Sequence, residues 1–173
     1  MPQDVGNYEI TAMQHAIVSR ITAFSYFQNI NVFYERLKNL DAEIEKALGT
    51  LSDTYSRGIC ILVLTPTGND ERENSPAASF DPFRVTVSVM EDPLFNMEDG
   101  GSMIPAADMA LTAYRCLKGF QPAFANAPLT PDSPTYSIAP SDDLVVYEIR
   151  LKTKLVLPPL RLEGEGAFVK GEA

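Results

Sequence analysis

The chain has 173 residues and a formal charge of −9, with 45% hydrophobic and 21% charged side chains, a length and balance that suit one globular domain around a single core. No run approaches the ~18 apolar residues of a membrane span, and the acidic balance speaks against a general affinity for nucleic acid, which clustered lysine and arginine supply. One histidine and two cysteines exclude a disulfide framework and a zinc set, and leave most catalytic constellations without their usual base. The opening Met1-Pro2-Gln3-Asp4 has neither a cationic start nor an apolar stretch before a cleavage site, so the expectation is a protein made in the cytoplasm without a secretory signal.

Ile10, Met13, Ile17, Ile21 and Phe24 recur at spacings of three and four, which predicts an amphipathic helix over 8–23 with Gln14, Ser19 and Arg20 on its other sides. Asn31 to Glu35 is a short β-prone run, and Asn39 or Asp41 then caps a helix with apolar positions Leu40, Ile44, Ala47 and Leu48, ended by Gly49. Asp41, Glu43 and Glu45 suit its positive end, at about 0.3–1 kcal/mol each. Ile59 to Leu64 is apolar at every position, the pattern of a strand covered on both faces, and is expected at the centre of the sheet.

Phe83, Val85, Val87 and Val89 alternate with Arg84, Thr86 and Ser88, as Val145, Tyr147, Ile149 and Leu151 do with Glu148, Arg150 and Lys152; both runs read as half-buried strands with one wet face. Between them a third helix is expected over 105–118, with proline in its first turn, Ala107, Leu111, Tyr114 and Leu117 on its apolar side and Gly119 as cap. The order is α-β-α-β-β-α-β. It predicts an α+β (mixed α/β) single domain over 1–154, with about four mainly antiparallel strands and helices mainly on one face. Segments 65–82 and 119–143 read as unusually long loops, and 155–173, with Pro158-Pro159 and three glycines, as a C-terminal arm that orders against a partner.

The chemistry-bearing residues fall into few groups. His15 lies off the apolar stripe and is assigned no role. Cys60, in the most apolar strand, and Cys116, in a helix, read as buried reduced thiols. Glu91-Asp92, Glu98-Asp99 and Asp142-Asp143 lack the alternating ligand spacing of a calcium loop. Glu98-Asp99-Gly100-Gly101-Ser102 lacks the Gly-Lys-Ser/Thr ending of a phosphate loop and reads as a turn into a helix. No catalytic residue, metal or cofactor is assigned.

Charge is uneven along the chain. From Pro66 to Met103 eight acids, among them Asp70, Glu71, Glu98 and Asp99, face only Arg72 and Arg84, net −6; from Leu144 to Arg161 the net is +3. If the two alternating strands pair, Arg84, Arg150 and Lys152 project from one side and Lys154 continues the row, partly neutralised by Glu148. That row would line a channel or dock an acidic partner; equally, it would be an ordinary charged solvent face.

The segment order carries a resemblance. Phe24-Ser25-Tyr26-Phe27-Gln28-Asn29-Ile30-Asn31-Val32, Asp41 to Leu48, and Gly58-Ile59-Cys60-Ile61-Leu62-Val63 resemble the front half of tail-terminator or tail-completion proteins of tailed bacteriophages. Val85 to Asn96, a strand running into an acidic-Pro-apolar-Asn turn, and Pro105-Ala106-Ala107-Asp108-Met109-Ala110 through Phe120 extend it over roughly 8–153. Glu91-Asp92 departs from the Glu-Asn of the family's strand end, and the acidic loop around 69–74 belongs to this chain alone.

The resemblance implies a non-enzymatic virion protein that forms a ring, commonly of six copies. The ring would cap the tail tube and face the neck or connector, with DNA passing through it without specific binding, and no membrane partner. The tentative interface or lumen-facing residues are Arg84, Arg150, Lys152, Lys154, Asp70, Glu71, Glu98 and Asp99, since unlike charged patches attract around a closed circle. The alternatives are another phage neck/connector or tail-associated adaptor, a soluble adaptor that binds a host protein through 158–173, and a small enzyme using carboxylates such as Asp70 or Asp142.

Overall fold

The computed structural model describes residues 9–35 and 37–159. Four helices and six strands follow in the order α1 (Glu9–Thr22), β1 (Asn31–Tyr34), α2 (Leu40–Gly49), β2 (Ile59–Leu64), β3 (Gly68–Asp70), β4 (Ala78–Glu91), α3 (Pro93–Asn96), α4 (Ala106–Leu117), β5 (Thr130–Ala139) and β6 (Val145–Leu157). One sheet runs β1-β2-β4-β6-β5, with β3 added to β4; β1 and β2 are parallel and every other pairing is antiparallel. The α+β class stands, with six strands in place of about four. Among the described residues no helix is long and apolar enough to cross a membrane.

The two extra strands lie in the segments expected to be loops. β3 takes up the 65–82 segment, and its pairing with β4 continues the β2–β4 ladder: Leu64 faces Thr86, Gly68 faces Phe83 and Asp70 faces Phe80. Together β2, β3 and β4 form one long hairpin whose last six residues extend about 20 Å beyond the end of β2. β5 occupies the 119–143 segment as an edge strand, bulged between Pro131 and Tyr136. Centrality passes from β2 to β4, which has β2 and β3 on one edge and β6 on the other.

Both faces of β2 are covered, as its unbroken apolar run requires. Ile59, Ile61 and Val63 join the main core with Met13, Ile17 and Ile21 of α1. Cys60 and Leu62 face a smaller core made by Phe33 and α2 residues Ala47 and Leu48. Val85, Val87 and Val89 of β4 and Ile149, Leu151 and Leu155 of β6 are wholly buried on the α1 side. Burial of each such side chain is worth about 1.5–3 kcal/mol.

Three local expectations are corrected. Gln14 is buried rather than turned outward, because its amide donates to Thr65 Oγ1 at 2.9 Å and to Glu35 Oε1. The buried stripe of α4 is Ala106, Met109, Ala110, Ala113, Cys116 and Leu117, so Leu111 lies exposed; small residues let the helix sit close on the sheet. Thr86 and Ser88, assigned to a wet face, are buried beside the cross-strand partners Arg150 and Glu148. Gly119, at φ +81°, follows α4 as anticipated. Asn39 sits at the N-cap of α2 but makes no side-chain cap bond, and Gly49 is the last helical residue. The proposed boundary at 155 falls inside β6, which runs to Leu157; the rest of the arm from 160, with Arg161, lies outside the described residues.

Candidate functional site

The basic row forms as the alternation predicts, since β4 and β6 are neighbours: Arg84 lies opposite Lys152 and Thr86 opposite Arg150. Half of its charge is paired. Arg84 Nε donates to Asp132 Oδ2 at 2.9 Å, and Arg150 Nη2 to Glu148 Oε2 at 2.9 Å. Asp132 was not anticipated. It sits in the bulge of β5, and that bulge lets its carboxylate reach past β6 to β4. Lys152 and Lys154 have no carboxylate partner among the described residues.

The acidic stretch from Pro66 to Met103 divides into two. Asp70 and Glu71 belong to the hairpin tip, whereas Glu98 and Asp99 follow α3 at the opposite end of β4. Asp70 is a turn anchor: its Oδ1 accepts the backbone N–H groups of Arg72 at 3.0 Å and Ser79 at 3.1 Å. Those two bonds hold its carboxyl below the ordinary carboxylate value, the opposite of what a general acid needs. Asp142, the other carboxylate weighed for acid–base work, is exposed beyond β5; the two are not brought together.

At the Glu98 end the chain is tightly knit. Glu91, 5% exposed, accepts from Asn96 Nδ2 at 2.7 Å and from the Ala106 N–H, the first of α4, at 2.8 Å. Buried Asn96 also donates to the Ile104 carbonyl and accepts from the backbone and hydroxyl of Ser102, while Asp92 caps α3 by accepting from the Leu94 N–H. So Glu91 and Asp92 are structural, whereas Glu98 and Asp99 are exposed. Gly101 is required here: a Cβ would lie 2.0 Å from the Asn96 carbonyl oxygen. Arg57 pairs its backbone with Gly101, lies 4.8 Å over the Phe95 ring and reaches Glu98 at 3.7 Å.

Around this knot the surface is apolar. Leu51, Leu94, Met97 and Met103 are 65%, 64%, 48% and 50% exposed, with Glu98 and Asp99 beside them. Sequence reasoning missed the set, because Leu51 follows α2 while the others belong to α3 and the loop after it, segments that tertiary contacts such as the Arg57–Gly101 pairing bring together. Two further displays lie elsewhere: Tyr136 and Ile138 on the edge strand β5, and Phe124 in the turn beside the end of β6. Tyr136 stacks on Tyr147 at 5.2 Å.

No family model matches the chain, and no curated protein matches it.

The remaining candidates are structural in placement. His15 is exposed against the Tyr34 ring, 4.4 Å between centroids. Cys60 and Cys116 are free and buried; burial pushes the Cys60 thiol up to about 12 and also raises that of Cys116. A shallow groove runs beside edge strand β1, lined by Phe33, Glu43, Lys46, Leu51 and Tyr55.

Proposed function

We propose that this chain is a structural subunit of a tailed-phage virion. Its copies form a ring, six in the family it resembles, that completes the tail tube and joins it to the neck or connector, with DNA passing through without specific binding. The observation that carries this reading is the display of large apolar side chains in three separate places: Leu51, Leu94, Met97 and Met103 at one end, Tyr136 and Ile138 on an open sheet edge, and Phe124 at the other end. A ring subunit needs several distinct adhesive faces, two for neighbouring copies and others for the parts above and below. Of these, the group of Leu51, Leu94, Met97 and Met103 is the cluster that marks a contact surface, since large apolar residues exposed singly are ordinary.

The test is electron microscopy of purified particles with the subunit labelled, together with mass photometry of the isolated protein. Label at the head-proximal end of tails and a discrete oligomer are expected. A protein present in infected-cell lysate and absent from particles refutes the reading.

A further inference from the structure

We propose that copies of this chain join head to tail, the acidic tip of the β3–β4 hairpin of one copy seated on a basic and aromatic patch where α1 and α4 of the next copy end. The inference rests on the ring reading and names the faces that meet.

The patch is assembled where the two helices end together. Arg20 Nε donates to the Cys116 carbonyl at 3.1 Å, which brings the last turn of α1 against the last turn of α4. There the Arg20 guanidinium lies between two rings, 5.0 Å from the centroid of Phe24 and 5.2 Å from that of Phe120. Lys118 Nζ lies 5.8 Å over Tyr114, and Arg115 is exposed beside them. Phe24 and Tyr26 are 37% and 38% exposed. Arginine and aromatic side chains together are what the centres of protein interfaces are rich in. Rings that clamp the guanidinium spare it rotamer freedom that binding would otherwise cost.

The patch is cationic on an acidic protein. Arg20, Arg115 and Lys118 have no carboxylate partner among the described residues, and segments 10–34 and 109–131 contain no acidic residue. The nearest acids on the two helices are Glu9 and Asp108, about 16 Å before Arg20 and about 10 Å before Arg115 along the axes. The helix ends themselves offset about half a charge each, so about two positive charges remain for a partner.

The hairpin supplies the opposite sign. Its tip, 70–77, carries Asp70, Glu71 and Glu73 against Arg72, with Glu71 and Glu73 exposed. The cations of the sheet do not offset it: Arg84 is held by Asp132, and Lys154 stands opposite the β4 bulge that carries Asp81. β6 ends at Leu157, level with Ala78, so it does not accompany the tip. The bonds from Asp70 to the Arg72 and Ser79 N–H groups preform the turn.

The tip stands clear of the patch on its own molecule. The Gly119 N–H donates to the Leu129 carbonyl at 2.8 Å, and the next residue, Thr130, pairs with Lys152, which sets the end of α4 at the level of Lys152. From there to Leu157 is about 16 Å of strand, and the tip continues past it. A projecting tip and a receiving patch make a heterologous contact, which closes into a ring when the rotation allows. The opposite charges set register and association rate, and the rings add apolar contact.

The test compares wild type with Glu71→Lys/Glu73→Lys and with Arg115→Glu/Lys118→Glu by mass photometry across a concentration series, with circular dichroism melts as folding controls. Each pair of reversals is expected to weaken self-association roughly tenfold or more, and an equal mixture of the two proteins, or all four changes in one chain, to restore it. In a second arm, Asn74→Cys and Ala23→Cys proteins are mixed and oxidised. A mixed disulfide that forms faster than either homodimer is expected, the native thiols being buried. Oligomers unchanged by the reversals, with no preference for the mixed cross-link, overturn the inference while the ring reading survives on other faces. A chain that stays monomeric and does not cross-link overturns the inference as well. Binding of a short DNA duplex that Arg115→Glu/Lys118→Glu abolishes, with the oligomer intact, overturns it in favour of phosphate as the occupant. Reversal and rescue in a protein missing from particles would sustain the contact and sink the virion reading.

Discussion

Glu91 is the residue on which the apolar end depends. Its two carboxylate oxygens each accept one bond, from Asn96 Nδ2 and from the Ala106 N–H, and it lies at the positive end of α4, which favours its charge. Glu91→Gln keeps the shape but offers one acceptor and one donor to two donors. One N–H then faces an NH2 group and is left unsatisfied, at about 1–3 kcal/mol, and the surviving bond loses its charge assistance, about 1 kcal/mol more. The expected loss is about 2–4 kcal/mol; for a chain of this length, 3 kcal/mol corresponds to roughly 6–12 °C in Tm. Glu91→Ala removes both acceptors and opens a cavity, so it should cost at least as much. Urea unfolding followed by circular dichroism measures both, with an unchanged slope expected because the surface exposed on unfolding is the same. If both variants unfold within about 0.5 kcal/mol of wild type, the two bonds carry no net stability and the reasoning fails.

Val87→Asp should destabilise the fold by about 4 kcal/mol or more, because it places an unpaired carboxylate among wholly buried neighbours; a wild-type melting temperature counts against the register of β4. Asp70 has a lowered folded-state pKa, so its bonds to Arg72 and Ser79 are intact above the ordinary carboxylate value of about 3.9 and fail only as pH falls through the lower folded value. The amide shifts of Arg72 and Ser79 should accordingly titrate with a midpoint below that value in NMR, and a midpoint at or above it contradicts the anchor. Cys60, with its thiol near 12, and Cys116, raised by burial, should resist aromatic disulfide reagents in the native state and react on unfolding; rapid native labelling of either would show it to be accessible.

What was legible in the sequence follows from how local each signal is. α1, β4 and β6 announce themselves by periodicity and β2 by its unbroken apolar run, since the pattern of apolar residues and the faces they bury are the same fact. β5 could not be read that way: Pro131 and Pro134 break its alternation, and it is a strand because the edge of β6 is open to it. Gly68-Asn69-Asp70 has the composition of a turn and becomes β3 through the edge offered by β4. The α4 stripe was misplaced because three of its buried positions are alanine, which carries little amphipathic signal. Gln14 is drawn inward by Glu35 and Thr65, both far along the chain.

The candidate surfaces divide along the same line. The basic row was visible because alternation puts Arg84, Arg150 and Lys152 on one side of adjacent strands. Its neutralisation by Asp132 was not visible, because the pair spans 48 residues and depends on a bulge. The apolar end joins residues near 51 with those at 94–103 through backbone pairing that no side-chain pattern encodes.

The long β2–β3–β4 hairpin also bears on how the chain finds its fold. Its tip closes over the few residues from Glu71 to Ala77, a loop cheap in entropy, and hairpins of this kind zip within about 1–10 μs. The β1–β2 pairing must first close the α2 segment, and β6 must return past α4 and β5 to reach β4. The hairpin is thus expected to be the earliest ladder, a template emerging from the ribosome before the strand that completes the sheet has been synthesised.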